Sequence, residues 1–115
     1  MKITQLDKVE KTPMETGEAK GVTKQLPVGT PDGAPNFSMR VFTLEPGGHT
    51  PYHAHPWEHE NYILQGSGVL LNEAGAGTPV KAGDFAFVAP NEKHQFKNTG
   101  SETLQFICLV PKEHE

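Results

Sequence analysis

The sequence lacks the features that mark membrane proteins, disulfide-rich secreted domains and nucleic-acid-binding proteins. No apolar run approaches the roughly 18 residues that a membrane-spanning helix needs. Cys108 is the only cysteine, which excludes an intrachain disulfide and fits a reducing compartment. The net charge is −4 and the Lys and Arg residues are dispersed, so the sequence has no basic stripe that would bind nucleic acid.

The N-terminal residues also lack the apolar core of a signal peptide, and we therefore expect a cytoplasmic protein. A length of 115 residues predicts a single domain over 1–115 with one core. Residues 1–20 are polar and interrupted by Pro13 and Gly17. They predict an edge strand or a loose N-terminal arm.

Helical periodicity is absent as well, because no window of twelve residues has apolar residues at i, i+3, i+4 and i+7. Instead, 12 glycines and 10 prolines separate short apolar runs, which is typical of an all-β sandwich or barrel. The predicted strands are 22–26, 37–45, 62–64, 69–71, 85–88 and 103–110. Gly66-Ser67-Gly68 predicts a hairpin between 62–64 and 69–71.

The last predicted strand is apolar on both faces. Leu104, Phe106 and Cys108 share one face, while Ile107 and Leu109 lie on the other. Both faces need cover, either from another sheet or from a partner subunit. With the N-terminal edge strand also available to pair, this pattern predicts a homodimer.

Four of the six histidines have spacings that favour a metal site. His53, His55 and His59 have the same strand parity, and His94 follows 35 residues after His59 on a strand that can lie opposite. Neutral imidazole is a common ligand of zinc, copper, iron and nickel. A His-x-His pair alone is weak evidence, since single histidines are usually surface or hydrogen-bonded residues; the additional histidines favour a metal ion.

These residues resemble the first motif of the cupin superfamily, in which glycine, His-x-His, glutamate and glycine follow at fixed spacings. Here Gly47, His53, His55, His59 and Gly66 stand at those positions, with histidine in place of glutamate. Glu60 has the alternative four-residue spacing, but Gly66 then comes one residue early and the strand parity differs. His59 is the favoured third ligand and Glu60 the alternative.

The second cupin motif is similar to residues 83–98, and the first covers about 47–66. Gly83, His94 and Asn98 match it, whereas Ala89 and Asn91 replace the usual proline and glycine. The resemblance implies a double-stranded β-helix, or jelly-roll, barrel with one divalent metal ion per chain. Among small cupins, the all-histidine set is similar to that of manganese-containing dimers, so manganese is favoured, with iron, copper, zinc or nickel as alternatives.

Further candidate residues lie on the flanking strands. Phe106 and Cys108 are predicted to line the barrel interior, where ordinary core packing is the competing interpretation. Arg40 is more often a surface charge at such a position, but it can also anchor a substrate carboxylate. Glu58 and Glu60 either orient ligating imidazoles or are solvated.

The cupin fold hosts many chemistries, so it does not by itself identify a reaction. Four neutral ligands leave the full charge of the ion, which favours a small anionic ligand. The first hypothesis is a metal-dependent, dioxygenase-like oxidoreductase acting on a small organic acid or an enolisable compound. The alternatives are a non-redox Lewis-acid isomerase or lyase, and a small-ligand binding or sensing module without turnover. Neither nucleic acid nor membrane is expected as a partner.

Overall fold

The computed structural model describes residues 1–14 and 16–115, which contain nine β-strands and three short 3-10 turns. The strands are β1 (Thr12–Pro13), β2 (Lys20–Val28), β3 (Phe37–His49), β4 (His59–Gln65), β5 (Ser67–Leu71), β6 (Gly77–Lys81), β7 (Phe85–Val88), β8 (Gln95–Lys97) and β9 (Leu104–Pro111). The turns are Leu6–Lys8, Thr30–Asp32 and Lys112–His114. Within those two described ranges there is no α-helix, and no helix is long and apolar enough to cross a membrane. The all-β prediction is confirmed.

The strands form one antiparallel sheet that curls around the core. Its neighbours follow the order β6-β5-β8-β3-β9-β4-β7, with β2 on β3 and β1 on β2. Strands that are distant in sequence are therefore adjacent in space, as the jelly-roll prediction requires. The predicted N-terminal edge strand is the two-residue β1, and Glu15, within the predicted arm, lies outside the described residues.

The predicted hairpin across Gly66 is wrong, because β4 and β5 do not pair with each other. Strand β4 pairs with β7 and β9, whereas β5 pairs with β6 and β8. Gly66 has a φ of 81°, and a Cβ there would collide with the carbonyl oxygen of Thr103. The glycine therefore allows a close crossing of two backbones, which carries the chain to the other half of the barrel.

Strand β9 provides the centre of the core. Its even positions Leu104, Phe106, Cys108 and Val110 are buried, and the odd positions between them are only half-buried. Opposite them, Leu44 on β3 and Ile63 on β4 are completely buried. The floor of the barrel is thus apolar, and the histidine segments lie above it.

Candidate metal centre

Two segments that are distant in sequence meet through backbone pairing at His53 and His94. The N–H of His53 donates to the carbonyl of His94 at 3.2 Å, and the N–H of His94 donates to the carbonyl of His53 at 3.0 Å. The centroids of the two imidazole rings are 5.1 Å apart. Antiparallel pairing therefore positions one histidine from each motif at the barrel mouth.

The turn before His94 holds the His55 segment. The N–H of Asn91 donates to the carbonyl of His55 at 2.7 Å. Asn91 has a φ of 66°, in the left-handed region that asparagine tolerates better than most residues. This is the motif position at which cupins usually have glycine, so asparagine preserves the turn.

Strand parity separates His59 from Glu60. His59 begins β4 with a buried side chain, whereas Glu60 and the preceding Glu58 are exposed. Because successive side chains of a strand point to opposite faces, His59 faces the interior and Glu60 faces outward. The two glutamates are on the solvated side, which was the second of the two interpretations that the sequence left open.

The imidazoles converge at one end of the barrel. The ligand nitrogens of His53, His55 and His94 all lie within 4.8 Å of one another, so these three residues can hold a metal ion. The Nε2 atoms of His55 and His59 are 2.7 Å apart, and the ring centroids of His59 and His94 are separated by 5.3 Å. His59 is thus next to the three-histidine group and contacts it through His55.

Backbone carbonyls orient two of these rings. Nδ1 of His55 lies 3.0 Å from the carbonyl oxygen of Trp57, and Nδ1 of His94 lies 2.8 Å from that of Glu92. A carbonyl oxygen only accepts hydrogen bonds, so the proton of each neutral ring is assigned to Nδ1. Each Nε2 then carries a lone pair, which is the usual arrangement of a ligating histidine.

Burial favours the neutral form of three of these imidazoles. It is the main cause that lowers the pKa of His53 to about 4 and the pKa of His59 to about 3, and Arg40 and the neighbouring histidines add to both shifts. The pKa of His55 is also lowered, again chiefly by burial. Only the neutral ring offers a lone pair, so the lowered pKa values of these three histidines suit a divalent transition-metal ion at pH 7.

A cavity of about 100 Å³ opens onto the histidines. Besides the four histidines it is lined by Met14, Arg40, Phe42, Thr50, Pro51, Trp57, Phe96, Phe106 and Cys108. Phe106 and Cys108, which the sequence suggested as interior residues, are both part of this lining. Phe42 and Phe96 were not predicted, although each lies two residues beyond a candidate, Arg40 or His94, on the same strand face.

Arg40 is buried, whereas the sequence favoured a surface charge at this position. It lies on the inner face of β3 with Phe42, and its guanidinium carbon is 4.9 Å from the centroid of the Phe42 ring. Its Nη2 donates to Sγ of Cys108 at 3.1 Å. The guanidinium is thus part of the cavity wall and is available to an anionic group there.

Trp57 stacks between two histidines. Its indole is parallel to the ring of His55 at 4.2 Å between centroids and to that of His114 at 3.6 Å. The stack restrains the plane of the His55 ring and closes one side of the cavity.

Three other polar side chains near the histidine segments contact backbone carbonyls and do not line the cavity. Gln95 donates to the carbonyl of Thr50 at 2.8 Å, and Asn98 donates to the carbonyl of Leu44 at 2.9 Å. Nδ1 of His49 lies 3.2 Å from the Thr50 carbonyl, and His49 does not line the cavity.

Known proteins are similar to this chain to different extents. The oxalate-binding protein of Thermotoga maritima is 40% identical over 68 residues, which cover 58% of this chain and 55% of that protein. Auxin-binding protein 1 of Arabidopsis thaliana is 37% identical over 88 residues, which cover 70% of this chain and 44% of that protein. The chain thus spans about half of the length of these two relatives.

Among solved structures, the polyketide cyclase RemF from Streptomyces resistomycificus is similar over 96% of this chain and 79% of its own, with a TM-score of 0.91 and 34% identity. The family described as Cupin domain matches residues 40–110, a range that includes Arg40, all four converging histidines and Cys108. Because this match spans more than half of the sequence and both histidine segments, the chain belongs to the cupin family.

Proposed function

We propose that the four histidines hold a divalent metal ion and that the protein catalyses a non-redox reaction of a small, enolisable compound with an apolar or aromatic part. The single observation that carries this proposal is the convergence of neutral imidazoles at the end of a cavity walled by aromatic rings. When bound, the ion would supply Lewis acidity toward a carbonyl or carboxylate oxygen.

Different side chains of the cavity suit different parts of a ligand. Phe42, Phe96 and Phe106 offer apolar contact to a short hydrocarbon or acyl segment and exclude water from it. The buried cation of Arg40 favours a negatively charged oxygen in the same space. The ligand class that suits these walls has an anionic or enolisable oxygen at one end and an apolar body at the other.

The size of the cavity limits the part of the ligand that can be enclosed. Its volume of about 100 Å³ is below the ~150 Å³ of a cavity that holds one benzene ring. A short acyl or carboxyl-bearing segment therefore fits inside, with a ring or chain at the mouth near Trp57. Relatives named for oxalate binding, auxin binding and polyketide cyclisation support a small-molecule ligand, and the last of these favours cyclisation or enolisation.

The nitrogen donors favour some ions over others. Imidazole suits zinc, copper, iron and nickel, whereas manganese is more often held by oxygen ligands. We therefore propose zinc, nickel, copper or iron ahead of the manganese that the family resemblance implied. Elemental analysis of protein purified from its native host identifies the ion.

Benzoylacetate provides a direct test, because it combines one aromatic ring with a ketone and a carboxylate that flank an enolisable methylene carbon. With zinc-loaded protein we expect deuterium from the solvent to enter the carbon between the carbonyls faster than with the same concentration of free zinc. Trp57 is the only tryptophan, so binding is expected to change the intrinsic fluorescence. The measurements are proton NMR and a fluorescence titration, with chelator-treated protein as the control.

The other outcomes separate the alternative functions. Oxygen consumption by the iron- or copper-loaded protein would support the oxidoreductase that was the first hypothesis from the sequence. A fluorescence change without exchange or oxygen uptake would support a binding or sensing module. Absence of both binding and exchange would contradict the proposed cavity chemistry.

We also propose that the protein is a homodimer formed through an outer apolar face. This face comprises Phe85 and Phe87 on β7, Tyr62 on β4, and Ile107 and Leu109 on β9. Tyr62 is in register with both Phe85 and Ile107, so these three residues form an apolar row across three strands. In the next row the exposed Glu60 lies between Phe87 and Leu109. Phe85 is 83% exposed and Phe87 is 61% exposed, which is unusual for residues of this size on one strand. A second copy of the chain would cover the patch.

Introducing two charges into the outer apolar face is expected to produce a monomer. In the Phe85→Glu, Phe87→Glu variant each carboxylate would have to be desolvated in the interface, which is costly without a partner. Light scattering at micromolar concentration should detect a dimer for the unmodified chain and a monomer for the variant. Thr78→Glu adds a charge to an exposed position on β6, the opposite edge strand, and should leave the dimer intact. A monomeric unmodified chain would contradict the proposal.

A further inference from the structure

His59 differs from His55 and His94 in what orients its ring. Those two rings donate from Nδ1 to backbone carbonyls, but Nδ1 of His59 faces two side chains. It lies 3.2 Å from Sγ of Cys108 and 3.4 Å from Nη2 of Arg40. The same Nη2 is 3.1 Å from the Cys108 sulfur, so the three groups form a buried triangle.

The triangle is built by strand register. Arg40 on β3 is the direct neighbour of Cys108 on β9, and Cys108 is the neighbour of Asn61 on β4, two residues beyond His59.

Within residues 1–14 and 16–115 the only ion pair joins Lys2 and Asp32, so the described carboxylates leave the guanidinium of Arg40 without a counter-charge. An apolar residue at this position would avoid the cost of burying a charge, so the cation indicates a role beyond packing.

The donors and acceptors of the triangle allow two proton positions on a neutral His59. A guanidinium only donates hydrogen bonds, whereas a sulfur both donates and accepts weakly. If the proton is on Nδ1, the Cys108 sulfur accepts it, and the Nε2 lone pair points toward the other histidines. If the proton is on Nε2, it is donated to Nε2 of His55 across the 2.7 Å contact, and Nδ1 accepts from Arg40 or from the thiol.

We propose that Cys108 and Arg40 are positioning residues that decide whether His59 joins the other three histidines as a ligand. The sulfur of Cys108 stabilises the tautomer in which Nε2 of His59 carries a lone pair. Arg40 disfavours this tautomer of His59 when Nη2 of Arg40 donates to Nδ1 of His59. Arg40 favours the same tautomer when Nη2 donates to the sulfur of Cys108 instead. This inference rests on the proposed metal site and goes beyond it, because it assigns a separate, adjustable role to one of the four histidines.

A double-mutant cycle on cobalt affinity tests this inference. The variants are His59→Ala, Cys108→Ala and the pair, all measured by titration with Co²⁺. Cys108→Ala is expected to bind Co²⁺ about 10–100-fold more weakly, the range typical for loss of a partner that orients a ligand, and His59→Ala is expected to bind it at least as weakly as Cys108→Ala. The double variant should bind no more weakly than His59→Ala, because the sulfur of Cys108 acts on the ion only through His59. The matched cycle of Cys108→Ala with His53→Ala should instead be additive.

Two conservative variants distinguish positioning from a general loss of structure. Cys108→Ser keeps an acceptor opposite Nδ1 and should recover most of the affinity lost in Cys108→Ala. Val110→Ala shortens another buried residue on the same face of β9 that does not line the cavity, and should retain full affinity. The visible spectrum of the Co²⁺-loaded Cys108→Ala protein should match that of His59→Ala rather than that of the unmodified chain.

The outcomes are separable. If the unmodified chain binds no Co²⁺, the proposed metal site is wrong. If it binds Co²⁺ but the Cys108 and His59 effects multiply, or if Cys108→Ser is no better than Cys108→Ala, then the sulfur does not control His59 and this inference is overturned.

Discussion

Replacing His94 by alanine is expected to abolish tight metal binding while leaving the barrel folded. His94 donates its Nδ1 proton to the Glu92 carbonyl and directs Nε2 toward His53 and His55, so its removal deletes a preorganised ligand. We expect the zinc affinity to fall by about a hundredfold or more, since loss of a ligand exceeds the roughly 10–100-fold effect of losing only its hydrogen-bonding partner. Competition with a chromophoric chelator measures the change.

The backbone hydrogen bonds between residues 53 and 94 should be retained in the His94→Ala variant. The two hydrogen bonds of the bridge between residues 53 and 94 involve only main-chain atoms, so alanine can still make them. His49→Ala is the matched control, because His49 lies at the end of β3 outside the cavity and should retain zinc affinity. Equal affinities of the His94 variant and the unmodified chain would exclude a metal centre at these histidines.

The fold could be predicted from the sequence because short apolar runs and turn residues are local signals. Strand β7 begins and ends as predicted, and β9 differs by one residue at each end. The pairing of strands depends on contacts between distant residues, which local patterns do not contain. The turn at Gly66 illustrates this: the residue types suggested a hairpin, but the close approach of Thr103, 37 residues later, sends β5 elsewhere.

The positions of the histidines could be predicted because they follow a motif with fixed spacing. The surroundings of other side chains could not be predicted, because they depend on packing between residues that are distant in sequence. The spacing of the histidines indicated their convergence, and the parity of β4 distinguished His59 from Glu60. The burial of Arg40 had no local signal, because it results from β3 being covered by the facing half of the barrel. The stacking of His114 on Trp57 depends on the path of the C-terminal 3-10 turn, which no pattern in the sequence specifies.

Phe106→Ala is expected to cause the largest loss of stability among single substitutions in the cavity wall. Phe106 is 1% exposed and its ring stacks on Phe96 and Phe42, with centroids 4.2 Å and 5.6 Å away. Truncation of a buried phenylalanine usually lowers the free energy of unfolding by about 3–5 kcal/mol, because apolar burial is lost and a cavity remains. Urea denaturation of chelator-treated protein should show a lower midpoint with an unchanged m-value.

The same substitution connects the core with the ligand cavity. Phe106 belongs to both, so the void left by alanine merges with the space beneath the histidines and removes part of the wall that would contact the enclosed acyl segment of the proposed ligand. We expect Phe106→Leu, which retains most of the buried volume, to lose less stability and to bind benzoylacetate more tightly than Phe106→Ala. A Phe106→Ala protein with unchanged midpoint and unchanged benzoylacetate affinity would mean that the ring contributes neither to the core nor to the cavity, contrary to its burial between Phe42 and Phe96.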